Sequence, residues 1–141
     1  MLSKTVALSP EVTELALELR RRAVADVLDA TDLTRALYSS DASLYRVLPQ
    51  AVAQPRTVEE TAAVLDAART VGMPVTTRGA GTSCAGNAVG PGLILDTSRH
   101  LNRILEIDPE ARTARVEPGV VQSALQAAAV PHGLRFGPDP S

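Results

Sequence analysis

The sequence predicts a mixed α/β (α+β) fold preceded by a helical stretch, and three observations carry that prediction. Apolar residues recur at helical spacing in the first 45 residues. From residue 52, short strand-like runs alternate with one capped helix and then form a hairpin. Five of the nine glycines, Gly79, Gly81, Gly86, Gly90 and Gly92, crowd into one loop between two of those strands. We therefore divide the chain into a helical N-terminal extension, residues 1–45, and an α/β domain, residues 46–141.

Ser9 is placed to cap the first helix, Pro10 suits its first position and Glu11 favours its positive end. Val12, Leu15, Leu19, Ala23 and Val27 form its apolar stripe. Arg20, Arg21 and Arg22 fall on a solvated face, and the helix is expected to end near Asp29. A short helical piece follows Asp32, and Ser39–Ser43 reads as a polar loop.

Val52–Gln54 predicts a short strand stopped by Pro55. Thr57-Val58-Glu59-Glu60 has the form of a capping box, in which hydroxyl and carboxylate satisfy exposed amides reciprocally. Val58, Ala62, Leu65 and Ala68 are the expected buried face of that helix, which Gly72 ends and Pro74 keeps from continuing. Val75–Thr77 and Leu93–Asp96 read as strands on either side of the glycine loop. Ile104–Ile107 and Thr113–Val116 flank Asp108-Pro109-Glu110, which predicts a hairpin with an acidic turn. After the break at Pro118-Gly119, Val121, Leu125 and Ala128 mark a last helix, closed around Pro131 and Gly133.

The chain has 141 residues, a size suited to one domain, and is 45% hydrophobic and 21% charged. That balance buries a core and excludes a disordered tail. Aromatics make up only 2%, namely Tyr38, Tyr45 and Phe136, so the core is built from Ala, Val and Leu. The formal charge is −2 and there is no basic run with interleaved aromatics, which argues against nucleic acid as a partner. The single cysteine, Cys84, forms neither an internal disulfide nor a metal cluster by itself and suits a reducing compartment. The first ten residues lack the apolar core of a signal peptide, and no run approaches the roughly 20 apolar residues of a membrane span. A cytoplasmic setting is expected, with peripheral membrane contact left open.

The glycine loop carries the chemistry. Between Thr70 and Leu95 the only charged residue is Arg78. A phosphate-binding loop needs converging backbone amides, hydroxyl donors and no carboxylate facing the anion. This stretch supplies the glycines, Thr82 and Ser83, and contains no acid. The residues alone leave two readings open, an anion site and a plain tight turn. No Lys follows the glycines, so it is not a triphosphatase loop. The third glycine of the dinucleotide fingerprint is missing, as is an acid about 20 residues on in the expected role.

Pro55-Arg56-Thr57-Val58-Glu59-Glu60 resembles the strand-to-helix entry of an FAD-binding domain. That domain is shared by vanillyl-alcohol oxidase, p-cresol methylhydroxylase, D-lactate dehydrogenases and glycolate oxidase. Pro74–Val89, with Arg78-Gly79-Ala80-Gly81-Thr82-Ser83 at its centre, resembles that family's diphosphate loop. Leu95–Ile104, Glu117-Pro118-Gly119-Val120 and Gly137-Pro138-Asp139-Pro140-Ser141 resemble later landmarks in the same order, the last being the start of a second flavin-contacting loop. The similarity covers about residues 50 to 141. Thr-Ser-Cys-Ala-Gly-Asn and the Gly-Pro-Asp-Pro-Ser ending lean towards bacterial FAD-linked dehydrogenases of D-2-hydroxy acids, including iron–sulfur-fused forms.

The resemblance implies an FAD-binding domain of the p-cresol methylhydroxylase type, its N-terminal part and incomplete at the C-terminus. It implies hydride transfer from a 2-hydroxy acid, of the D-lactate or D-2-hydroxyglutarate type, to FAD. It places Gly79, Ala80, Gly81 and Gly86 at the diphosphate through backbone amides, with Thr82 and Ser83 as further donors. Relatives that attach flavin covalently through this loop carry a His where this chain has Thr82, so attachment here is expected to be non-covalent. Arg78 is read both as a charge for the diphosphate and as a surface strand end. Asn87 is assigned to loop backbone or flavin, and Pro138, Asp139 and Ser141 to the second flavin loop.

Cys84 is expected to be a small packed residue, His100 and His132 ordinary surface or capping residues, and Asp96 the cap of a turn ahead of a helix start at Ser98. Catalytic and metal-binding residues are expected downstream, with an iron–sulfur cluster and a divalent metal as further possible cofactors there. An electron acceptor is a further expected partner. The fragment alone is expected to have no turnover. Two rivals are a non-catalytic nucleotide-binding domain and another FAD enzyme on this fold, such as a cell-wall precursor reductase.

Overall fold

The computed structural model describes residues 8–138. Ser9 caps α1 (Pro10–Arg21), its hydroxyl accepting from the Val12 amide at 3.3 Å. The chain then passes through a 3₁₀ turn at Ala25–Val27 into β1 (Leu28–Asp29) and α2 (Asp32–Leu37). β2 (Ala51–Ala53), α3 (Val58–Thr70), β3 (Val75–Arg78) and β4 (Leu93–Asp96) follow, then the β5 (Ile104–Asp108) and β6 (Thr113–Val116) hairpin and α4 (Gln122–Ala129).

One sheet has the order β1-β2-β4-β3. β1 runs antiparallel to β2, whereas β2, β4 and β3 are parallel, with Val52 and Thr76 both opposite Ile94. The chain leaves β2 through α3, forms β3 at the edge, and returns to insert β4 between them. β4 is consequently buried along its whole length, from Leu93 to Asp96.

One apolar cluster joins Val12, Leu15 and Leu19 of α1 and Val27 to Ala51, Ala53, Val64, Ala67, Ala68, Leu93 and Leu95. Small residues on β2 and α3 let backbones approach, and the leucines of α1 fill the remaining volume. Full burial of Leu15 or Leu19 stabilises by about 2 kcal/mol. The boundary expected at residue 45 therefore does not coincide with a break in packing: α1 and β1 share the core and sheet of the residues that follow.

The first helix is shorter than its apolar stripe predicts. It closes at Arg21, because Ala23 adopts a left-handed φ of 58°. The Ala23 amide bonds the Arg20 carbonyl and the Val24 amide the Leu19 carbonyl, both at 3.0 Å, which is a Schellman closure with alanine where glycine is usual. Val27 reaches the core from a turn instead of a helix. Arg22 is not simply solvated, since it pairs with Glu18 and with Asp66 of α3.

The buried face of α3 also differs from the expected one. Val64, Ala67 and Ala68 face the core, while Val58 is 72% and Leu65 42% exposed. An alanine-rich helix has weak contrast between faces, and packing against α1 fixes the rotation. Its cap is formed by Thr57, which accepts from the Glu60 amide at 3.1 Å. The Glu60 carboxylate accepts from Arg56 and not from Thr57, one residue earlier than in the usual box. Gly72, at φ +69°, ends the segment as expected.

The acidic hairpin turn forms around Asp108, which accepts from the Glu110 and Ala111 amides. No helix among the described residues is long and apolar enough to cross a membrane.

Candidate functional site

β3 ends at Arg78, and the chain from Gly79 to Gly92 runs from there back to the start of β4. It leaves the sheet at the carboxyl ends of parallel strands, the edge where open α/β sheets present ligand sites. On the return, Gly90 lies against Thr76 and Gly92 against the Pro74 carbonyl, so a side chain at either position would collide with β3 or its approach. Gly81 and Gly86 have φ of +72° and +79°, the region that favours glycine.

Among the described residues, the backbone N–H groups of Gly79, Ala80, Gly81, Thr82, Ser83, Cys84 and Gly86 have no protein acceptor. Such a set of donors without a protein acceptor on a glycine-shaped turn suits an anion. Ser83 Oγ accepts from the amides of Ala85 (3.3 Å) and Asn87 (3.2 Å), leaving its own hydrogen to donate. Asn87 thus joins the loop through its main-chain amide, which donates to the Ser83 side chain, while the residue itself is exposed. Thr82 is exposed, and Cys84 is exposed as well, contrary to the packed role expected of it. The space against the loop is taken by other groups: Arg78 lies against Gly81 and the Tyr45 ring against Gly86.

Arg78 folds back under the loop. Its Nη1 donates to the carbonyls of Ser40 at 2.8 Å and Ala88 at 3.3 Å, and its guanidinium lies 5.1 Å from the Tyr38 ring centre. The Tyr38 hydroxyl donates to Asp96 Oδ2 at 2.5 Å and accepts from Gln54 Nε2 at 2.9 Å. Burial, and then the neighbouring Asp96, push the Tyr38 hydroxyl above the ordinary phenol range. Asp96 Oδ1 accepts from both the amide and the hydroxyl of Ser98 at 2.7 Å, the capped turn expected there. Ser98–His100 stays a turn and does not start a helix.

Though the loop's own sequence has no acid, the fold brings one. Asp41 Oδ2 accepts from the Ala88 amide at 3.2 Å, while Oδ1 accepts from the Ser43 amide and hydroxyl. Hydrogen bonds from Ser43, led by its hydroxyl, hold this carboxyl below its ordinary value. The Ala42 amide bonds the Gly81 carbonyl at 3.1 Å. Tyr38, Asp41 and Tyr45 are therefore residues of the site that its sequence pattern did not single out. The Asp-x-Ser turn at Asp41–Ser43 and the two tyrosines in an aromatic-poor chain were the available signals.

Glu117, 7% exposed, accepts from the Arg103 amide and guanidinium, and the Gly119 amide bonds Leu101, so this motif ties the hairpin to the turn after β4. His100 and His132 are exposed. Pro138 is exposed too, two residues past Phe136, whose backbone is held by the Gln126 side chain. Asp139 and Ser141 lie outside the described residues.

Two concavities lie elsewhere. One of about 230 Å³, beside Ser9, Asp32, Arg35 and Gln50, sits at the opposite, amino end of β2, and its polar groups pair with one another. The other, about 70 Å³, is an apolar cleft between the hairpin and α4. Neither offers a row of open amides.

The FAD binding domain family matches residues 49–141. This chain belongs to that family. D-2-hydroxyglutarate dehydrogenase of Pseudomonas putida (strain KT2440) is 38% identical over 141 residues, covering 96% of this chain and 14% of that protein. Glycolate oxidase subunit GlcD of Escherichia coli (strain K12) is 42% identical over 101 residues, 70% of this chain and 20% of that one. The chain thus spans a fifth or less of the length of either relative.

Among solved structures, alkyldihydroxyacetonephosphate synthase superposes with a TM-score of 0.78 at 20% identity, over 99% of this chain and 29% of that one. p-Cresol methylhydroxylase with substrate bound gives 0.74 at 24% identity, over 94% and 27%. At these identities the likeness shows the fold, the mixed α/β architecture of the p-cresol methylhydroxylase type.

Proposed function

We propose that the loop Gly79–Gly86 holds the diphosphate of FAD, and that the chain is the cofactor-holding part of a flavin-dependent oxidoreductase acting on a 2-hydroxy acid. The observation that carries this reading is the run of seven named amides without a protein acceptor in a family of FAD-binding domains. Gly79, Ala80, Gly81, Thr82, Ser83 and Gly86 supply donors, each charge-assisted when it meets a phosphate oxygen. Asn87, whose main-chain amide donates to Ser83 Oγ, leaves its side chain for the flavin or the loop backbone. Pro138, Asp139 and Ser141 supply a second flavin contact.

Threonine at position 82 has no ring nitrogen to bond the flavin, so the cofactor is held non-covalently at this loop. The bound flavin accepts the hydride; this chain binds and orients it. The names of the relatives support a substrate of the D-2-hydroxyglutarate or glycolate kind, and D-lactate belongs to the same chemical class. The substrate, an electron acceptor or peripheral membrane contact, and any iron–sulfur cluster or divalent metal engage residues other than those of the loop. A cytoplasmic location is part of the proposal.

The test is to add FAD to the purified chain and follow quenching of flavin fluorescence, then add D-2-hydroxyglutarate or D-lactate without oxygen. Quenching with FAD, and flavin that stays oxidised with either acid, is the expected result. No quenching overturns the cofactor reading; bleaching by this chain alone overturns its assignment as the cofactor-holding part only.

A further inference from the structure

The loop is not self-supporting. The segment Tyr38–Arg46 lies upstream of the residues that match the family, 49–141, yet contacts the loop at Gly81, Gly86 and Ala88. Ser40 and Arg46 form an antiparallel bridge and the Val47 amide bonds the Ser39 carbonyl at 2.8 Å, so this segment is a closed turn of its own. From it, Asp41 takes the Ala88 amide, the Ala42 amide takes the Gly81 carbonyl, and the Tyr45 ring packs where a Cβ on Gly86 would sit, 2.6 Å from Cδ2. Arg78 closes the arrangement from below by bonding Ser40 on the clasp and Ala88 on the loop.

We propose that Asp41, Tyr45 and Arg78 are positioning residues: together they clasp the glycine loop so that its open amides converge on an anion. This rests on the reading that the loop takes the FAD diphosphate. A glycine-rich loop with seven unbonded amides loses much conformational entropy when fixed. Contacts at Gly81, Gly86 and Ala88 fix it before the ligand arrives, which removes that loss from binding. In this arrangement Arg78 is a strut whose Nη1 is already committed to two carbonyls, and its charge also offsets that of Asp41 beside the loop. That assigns Arg78 to holding the loop and not to the diphosphate itself.

The experiment is hydrogen exchange on the 141-residue chain, with Asp41→Ala, Tyr45→Ala, Tyr45→Phe and Arg78→Met, alongside titration with FAD and with riboflavin, which lacks the diphosphate. Asp41→Ala, Tyr45→Ala and Arg78→Met are expected to speed exchange of the hydrogen-bonded loop amides, Ala85, Asn87 and Ala88, about tenfold while α3 amides keep the wild-type rate. The same three weaken FAD about tenfold and leave riboflavin unchanged, since only the diphosphate reads the loop. Tyr45→Phe keeps the ring and behaves as wild type. Arg78→Met leaves the salt dependence of FAD binding unaltered, because a strut adds no direct ion pair with the ligand. Unchanged loop exchange in Asp41→Ala and Tyr45→Ala, or an equal rise in α3, overturns the clasp. A flattened salt dependence in Arg78→Met overturns the strut. If the variants loosen the loop but the wild-type chain binds FAD no better than riboflavin, the diphosphate reading fails and the clasp stands.

Discussion

The Tyr38 hydroxyl donates a 2.5 Å hydrogen bond to Asp96 Oδ2, joining residues 58 apart in the chain. It couples the segment after α2 to the end of the central strand β4, at the edge where the glycine loop leaves the sheet. Asp96 is 3% exposed, so its partners are not replaced by water at no cost. Tyr38→Phe removes this bond and leaves Gln54 Nε2 without its acceptor. We expect a loss of about 1.5 kcal/mol in urea unfolding at unchanged m-value, the range for a hydrogen bond to a charged group. A loss near zero would show that the pair is incidental.

The glycines of the loop separate by role. Gly81 and Gly86 sit at positive φ with Arg78 and Tyr45 against them, whereas Gly79 has open space around its Cα and no positive φ. Gly86→Ala should destabilise by about 1–2 kcal/mol through strain and displacement of Tyr45. Gly79→Ala should be neutral or slightly stabilising, within about 0.5 kcal/mol. Thermal unfolding of the two variants side by side checks this, and equal effects would contradict it.

The helix that opens the chain is part of the core. Leu19 is fully buried in the cluster with Val64 and Leu93, while Leu65 on α3 is 42% exposed. Leu19→Ala should cost about 3 kcal/mol and Leu65→Ala less than about 1 kcal/mol. Denaturant titration giving the reverse order would mean that α1 packs elsewhere.

Acid should weaken the fold. The Arg103 side chain, followed by its amide, holds the Glu117 carboxyl below the usual range. Arg69 and then Arg22 do the same for Asp66, and Arg22 does so for Glu18. A carboxyl with a lowered folded pKa contributes stability that is fully present above its unfolded value, about 4, and is lost as pH falls through the folded value. Tm should be flat from pH 7 to about 5 and fall below about pH 4. Glu117→Gln should reduce that fall. A drop centred near pH 6, or a Glu117→Gln profile parallel to wild type, would contradict the assignment.

Much of this was legible in the residues. Pro10, Thr57, Gly72 and the Asp108 turn mark boundaries through local chemistry, and the structure places them there. The glycine loop was visible because glycine density and a lack of charge are sequence properties. What escaped was non-local or of low contrast. Ala23 closes α1 in a left-handed conformation that alanine does not advertise. The rotation of α3 is set by α1, since its alanines give little preference. β1 is two residues long and exists only as the partner of β2. The contacts of Asp41 and Tyr45 with a loop some 40 residues on follow from the topology, which no local pattern encodes.

The most direct measurement of the central claim is an amide-resolved NMR titration of the chain with FAD, repeated with riboflavin. The diphosphate reading predicts that FAD shifts the amides of Gly79 to Gly86, and most strongly those without a protein acceptor, while riboflavin leaves them in place. Loop amides that stay still as FAD binds, or that move equally with riboflavin, would contradict it.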